Sequence, residues 1–194
     1  MMKPLILAST SVYRSELLQR LGLPFDMVPP NYEEKPDKAL APSALALKHA
    51  LGKAREVAFK NPDRIVIGSD QVAEVEGEIL GKPYTVDNAV AQLEMMSGRA
   101  VNFHTGVALV VNEREAAAVD TFTAKLRVLS KGEIESYVMR ESPLDCAGSF
   151  KVEGLGIALM EELAGRDFTS LVGLPLITLN KLLISFGVNP LTGV

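Results

Sequence analysis

Leu5-Ile6-Leu7-Ala8-Ser9-Thr10-Ser11-Val12-Tyr13-Arg14 is the stretch on which the fold turns. Four apolar residues run unbroken and stop at three hydroxyls, which reads as a buried strand entering a loop. Leu17, Leu18 and Leu21 then recur at helical spacing, and Gly22 supplies the stop. A buried strand that passes through a short loop into a helix begins an α/β or α+β layout.

The rest of the chain continues that alternation. Pro29 to Pro36 is a loop bounded by prolines. An Ala-rich helix is expected from about Ser43 to Lys60, although Gly52 costs about 1 kcal/mol inside it. Ile65-Val66-Ile67 reads as a short buried strand ending in Gly68-Ser69-Asp70, and Val72 to Leu80 as a hairpin turning at Glu76-Gly77. A helix over Asp87 to Met96 ends near Gly98. Two longer strands follow, Val101 to Val111 and Val119 to Leu129. Ser130 and Glu133 have capping-box spacing ahead of Ile134 to Val138. A short strand near Gly156 to Leu159 and a helix from Pro175 to Phe186 complete the pattern. There is no internal repeat or linker. The expectation is a single domain over residues 1–194, α/β or mixed α+β, with a mixed twisted sheet and two lobes around a cleft.

Composition narrows the function. The chain has 194 residues, 47% hydrophobic and 23% charged, enough for a sizeable core and unlike disordered or disulfide-built chains. Twenty Lys and Arg against 24 Asp and Glu give a net charge of −4. That leaves no extended basic field for a nucleic-acid polymer, whereas a small anion needs only one local cluster. Cys146 is the single cysteine, so no internal disulfide forms. His49 and His104 stand far apart with no cysteine cluster, which argues against zinc. The opening apolar run is too short for a secretory signal, and Phe168 to Asn180 is too short to span a bilayer. No membrane association is expected, and the chain reads as cytoplasmic.

Several residues could carry chemistry. Ser9, Ser11 and Arg14 lie where a strand feeds a helix, and helix-start N–H groups attract anions. Arg14 could fork onto a phosphate; the plain alternative is an N-cap beside a solvated arginine. Asp70 directly after a strand suits the carboxyl edge of a sheet, where ligands bind, but Gly-Ser-Asp is equally ordinary turn chemistry. Gly77 to Lys82 fails as a phosphate loop, because the spacing is short and Pro83 replaces the metal-holding hydroxyl. Lys82 remains as a single cation. Of Glu33 and Glu34, at most one can face a metal. Lys53 reads by itself as an exposed helical charge. Cys146 to Gly154 mixes small residues, one aromatic and an ion-capable pair, and suits a tight loop against a ligand. Cys146 itself fits a small buried hydrophobe, with nothing beside it to make a nucleophile. His104 on an apolar strand fits a structural role.

Taken together, five ordered segments resemble the Maf family of nucleotide pyrophosphatases. They are Leu5 to Leu18 with Ser9, Ser11 and Arg14; Gly68-Ser69-Asp70-Gln71-Val72; Gly81-Lys82-Pro83; Cys146 to Gly156; and Leu171-Val172-Gly173-Leu174-Pro175-Leu176. The resemblance spans nearly the whole chain. It implies a nucleotide-binding cleft, hydrolysis of a nucleoside triphosphate to a monophosphate and pyrophosphate, and a divalent cation, Mg2+ or Mn2+. Homodimers are common in the family. Asp70, Glu34 and Lys82 would be catalytic, with Glu34 and Asp70 as metal ligands. Ser9, Ser11, Arg14 and Lys53 would bind the phosphates.

Within the family, Gln71 and Glu153-Gly154 match the 7-methyl-GTP branch; the dTTP/UTP branch usually has Thr and Gln-Gly there. Tyr13 fills a position often held by Trp, and Val12 departs from the commoner Pro. The expectation is specificity through Tyr13, Gln71 and Glu153. N7-methylation makes guanine cationic. An aromatic face attracts such a base by about 0.5–2 kcal/mol, and Glu153 could accept from its N1–H and amino group. Two other readings stay open: a pyrophosphatase for dTTP/UTP or another modified nucleotide, and a nucleotide-binding cell-division regulator with little turnover.

Overall fold

A computed structural model of the chain describes residues 5–37 and 39–193. The opening Met1 to Pro4 considered above for a signal lies outside the described residues.

Strand β1 (Leu5–Ala8) is buried at every position. That explains its unbroken apolar sequence, since a parallel interior strand is covered on both faces. It pairs in parallel with β2 (Phe25–Met27) on one side and with β3 (Val66–Val75) on the other. Beyond β3 the sheet turns antiparallel through β5 (Ala100–Val111), β6 (Arg114–Leu126) and β7 (Met160–Ala164). β4 (Glu78–Leu80) folds back on β3, completing one mixed seven-stranded sheet in the order β2-β1-β3-β5-β6-β7.

Helices cover this sheet in two groups. Leu5, Leu7, Ile67 and Leu109 pack with Leu17 and Leu18 of α1 (Val12–Gln19) and with Leu179 and Leu183 of α6 (Leu176–Ser185). Ile6, Ala8, Val66 and Ala108 pack against Ala50, Ala54 and Val57 of α2 (Pro42–Lys60). At the other end of the sheet, Val75, Phe103, Phe122 and Leu126 meet Leu93 and Met96 of α3 (Val86–Met96) and Ile134 and Val138 of α4 (Lys131–Glu141). These clusters of buried residues lie along one continuous sheet. The short α5 (Phe168–Val172) lies over β5 and β6.

Three local expectations are corrected. Gly68-Ser69-Asp70 is not a strand end, because β3 continues without interruption to Val75. Gly68 is needed for close packing: a Cβ there would stand 2.2 Å from the Ala50 carbonyl oxygen of α2. Gly106, opposite Asp70 in the register, has the same role, with a Cβ 2.6 Å from the Ala46 carbonyl oxygen. β6 begins at Arg114, not Val119, because β5 and β6 form one tight hairpin whose outer positions are polar and exposed. Residues 156–159 form part of a 3-10 turn at Leu155–Leu159 instead of a strand, and β7 follows it. The Lys151 carbonyl captures the Gly156 N–H at 3.0 Å and curls the chain there. The hairpin at Glu76-Gly77 is present, both residues having positive φ as a two-residue turn requires. The capping box of Ser130 and Glu133 is also present.

Candidate active site

The close approach of α2 to the sheet determines the site. Gly68 and Gly106 let the helix sit almost on the strands, and Lys53 projects from it toward β3. Its Nζ lies 2.6 Å from Asp70 Oδ1 and 2.5 Å from Glu34 Oε1. Lys53 and Asp70 are each only 6% exposed, so Lys53 is not the solvated helical charge its sequence context suggests. Glu34 reaches the same ammonium from the loop before α2, whereas Glu33 points away and pairs with Lys35 on the surface. Burial raises the Glu34 pKa, but the hydrogen bond and charge of Lys53, with His49 and Arg14, outweigh it and hold the carboxyl below its ordinary range.

The Glu34 loop is docked by residues the sequence did not flag. Tyr32 Oη meets His49 Nδ1 at 3.1 Å, and the rings stand edge to face. The phenol occupies the room left by Gly52, where a Cβ would fall 2.2 Å from the ring. Gly52 therefore offsets its helix-propensity cost by admitting Tyr32. No spacing rule in the sequence links Tyr32 to Gly52, since the contact is tertiary.

α1 supplies the opposite wall. Ser11 is its N-cap, accepting the Arg14 N–H at 3.4 Å, and Ser9 Oγ accepts the Ser11 N–H at 3.1 Å. Arg14 Nε donates to the Gly173 carbonyl at 2.9 Å, and buried Ser69 donates to the same oxygen at 3.0 Å. Burial pulls the Arg14 pKa down against the attraction of Asp70 and Glu34. Gly173 acts through its backbone carbonyl, which leaves no side-chain signal in the sequence.

Two adjoining recesses form the cleft, of about 490 and 630 Å³, within the size range of small-molecule sites. They share Ser11, Tyr13, Arg14, Glu34, Lys53, Lys82 and Asp145. The larger adds Ser9 and Tyr32. The smaller adds Asp70 and Gln71, an apolar lining that includes Phe103 and Phe150, and Glu153. The cleft therefore gathers Ser9, Ser11, Tyr13, Arg14, Glu34, Lys53, Asp70, Gln71, Lys82 and Glu153, and leaves out Glu33. Charged and hydroxyl groups line both recesses, and the smaller one adds aromatic rings, an amide and a further carboxylate beside them. Gln71 Nε2 donates to the Ser170 carbonyl at 2.8 Å, and to Leu171 O and Thr105 Oγ1 at 3.1 Å each. Its amide nitrogen is committed to α5 and β5.

Tyr13 faces the 145–151 segment. Burial raises its pKa, joined by the charges around Cys146 and opposed by Lys151. Cys146 is partly buried and its thiol is pushed up to about 12, first by burial and then by Asp145. That leaves it a neutral wall of the cleft. His104 lies outside the cleft lining, held by Thr121 at 3.0 Å and near Glu74. Among the described residues no group of three His, Cys, Asp or Glu could enclose a metal, and no helix is long and apolar enough to cross a membrane.

The sequence matches the Maf-like protein family over residues 4–186. A 7-methyl-GTP pyrophosphatase of Syntrophotalea carbinolica is 49% identical over 193 residues, covering 98% of each chain. A protein of the same name from Xanthomonas oryzae pv. oryzae is 54% identical over 187 residues, covering 96% of this chain and 98% of its own. One from Methylobacillus flagellatus is 50% identical over 190 residues, covering 97% and 99%. A cleft that unites the five sequence segments, a match spanning nearly all of the fold and relatives of equal length at about half identity lead to one assignment: the chain belongs to the Maf family.

Proposed function

We propose that this protein hydrolyses 7-methyl-GTP to 7-methyl-GMP and pyrophosphate. The observation that carries the reading is one cleft in which Arg14, Lys53, Lys82 and the carboxylates of Glu34 and Asp70 stand together with Tyr13, Gln71 and Glu153. The names of the half-identical relatives support it.

Arg14, Lys53 and Lys82 neutralise the triphosphate, and the Ser9 and Ser11 hydroxyls donate to its oxygens. Glu34 and Asp70 are hard oxygen donors, brought to one point by Lys53. Two carboxylates without a full protein cage suit Mg2+ or Mn2+, whose remaining positions go to water and substrate phosphates. Glu34 and Asp70 would hold that ion, which supplies charge neutralisation at the phosphates. Asp70 takes the proton of the attacking water. The water oxygen bonds to the α-phosphorus in line with the α–β bridging oxygen, which leaves with pyrophosphate. Lys53 holds the Asp70 carboxylate in place.

The Tyr13 ring faces the cationic base. The Glu153 carboxylate accepts from its N1–H and amino group, and Gln71 contributes its amide oxygen as a further acceptor. A pyrimidine would leave the carboxylate unpaired and is rejected for that reason. A cytoplasmic site of action belongs to this reading, because nucleoside triphosphates are used there and a single cysteine requires no oxidising compartment.

Turnover in oxygen-18 water tests the chemistry. The label is expected in the monophosphate and absent from pyrophosphate, with a folded Asp70→Asn protein inactive. Label in pyrophosphate, or near-normal turnover by Asp70→Asn, would overturn the mechanism.

A further inference from the structure

Glu153 stands on a turn that α4 grips at both ends. Tyr137 and Glu141 lie one helical turn apart on α4 and face the chain at 151–155. The Lys151 N–H donates to Tyr137 Oη at 2.9 Å, and the Leu155 N–H donates to Glu141 Oε2 at 3.0 Å. Between these anchors, the Lys151 carbonyl accepts the N–H groups of Gly154 at 3.2 Å and Gly156 at 3.0 Å. Gly154 leaves room for the Glu141 carboxylate, which a Cβ there would approach to 2.8 Å. Tyr137 is 3% exposed and packed in the core, so its hydroxyl is a fixed point. Glu153 lies between the two pinned residues, exposed to the cleft it lines.

We infer that Tyr137 and Glu141 are positioning residues for base discrimination, holding the Glu153 turn so that its carboxylate is presented in one place. This rests on the reading of Glu153 as the group that contacts the base. A carboxylate on an untethered loop must be ordered by the ligand, which weakens binding, and it can shift to suit a different base. Pinning the turn removes that adaptability and makes a mismatched base leave the carboxylate unpaired. Neither residue is among the residues lining the cleft, and both act through the backbone of the turn.

The test compares kcat/KM for 7-methyl-GTP and UTP in the wild type, Tyr137→Phe, Glu141→Ala, Glu141→Gln and Glu153→Ala, with thermal midpoints for each. Glu153→Ala is expected to narrow the ratio of the two substrates. Tyr137→Phe and Glu141→Ala are each expected to lower kcat/KM for 7-methyl-GTP by about fivefold or more, mainly through KM, with UTP turnover little changed. Glu141→Gln keeps an oxygen for the Leu155 N–H and is expected to restore the ratio. In the Glu153→Ala background, Tyr137→Phe should narrow the ratio no further. If Glu153→Ala leaves the ratio intact, the base-contact reading fails and this inference with it. If Glu153→Ala narrows the ratio but the α4 variants do not, or they lower both substrates in proportion, the positioning role alone is overturned.

Discussion

Lys53 Nζ lies 2.6 Å from Asp70 Oδ1 in a setting where both residues are almost fully buried. Removing one partner of such a pair strands the other, at a cost of about 3–5 kcal/mol, whereas removing both costs less. Lys53→Met is therefore expected to lower stability by that order in urea unfolding, and Lys53→Met/Asp70→Asn to recover much of it. Both variants should lose turnover by about a hundredfold or more if Lys53 acts on the phosphates. Additive losses in stability would show that the two side chains are not coupled.

The approach of α2 is set by two glycines, and this can be checked apart from the charges. Gly68→Ala or Gly106→Ala places a methyl group against the α2 backbone. Overpacking of this kind costs about 1–3 kcal/mol, and activity should fall as Lys53 is carried away from Asp70. Gly132 on α4 provides the contrast, with open space around its Cβ position. Gly132→Ala should raise stability by about 0.5–1 kcal/mol without changing turnover. Thermal melts and kcat/KM on the three variants distinguish the cases.

Glu133 gives a pH signature. The Ser130 N–H first, then Arg127 and the Ser130 hydroxyl, hold its carboxyl down to about 2 from an ordinary value of 4.5. A depressed carboxyl contributes stability that is fully present above its unfolded value and is lost as pH falls through the folded one. The stability gap between wild type and Glu133→Ala should therefore be constant at neutral pH and shrink between 4.5 and about 2. A gap independent of pH across that window would show that the ionised carboxylate is not what caps α4.

Cys146 lines the cleft but is expected to be chemically quiet. With its thiol pushed up to about 12 by burial and Asp145, it stays protonated under ordinary conditions. Iodoacetamide at pH 8 should react far more slowly than with an unperturbed thiol, and Cys146→Ala should retain turnover within about threefold. Rapid alkylation with loss of activity would contradict this account of the cleft wall.

Much of the fold was legible because local rules and the tertiary structure agree. β1 and α1 follow from an apolar run, hydroxyls and leucine spacing, and the structure has them at Leu5–Ala8 and Val12–Gln19. The capping box at Ser130 and Glu133 carries its own geometry in four residues. Where the reading failed, distant partners decide. Gly68-Ser69-Asp70 has turn composition, yet its glycine answers to a helix 14 or more residues earlier in the chain, at Ala50 and Ala54. Lys53 has the sequence context of a surface residue and is buried because Asp70 and Glu34 converge on it. The site residues were gathered by a resemblance between whole segments. Tyr32, His49 and the Gly173 carbonyl were missed because they act through contacts or backbone atoms with no local pattern.

The most direct measurement is pyrophosphate release from 7-methyl-GTP, GTP, UTP and dTTP, each with Mg2+, with Mn2+ and with chelator. The account predicts metal-dependent release with a strong preference for 7-methyl-GTP. A preference for UTP or dTTP would contradict the base recognition assigned to Tyr13, Gln71 and Glu153, and release from none of the four would contradict the activity itself.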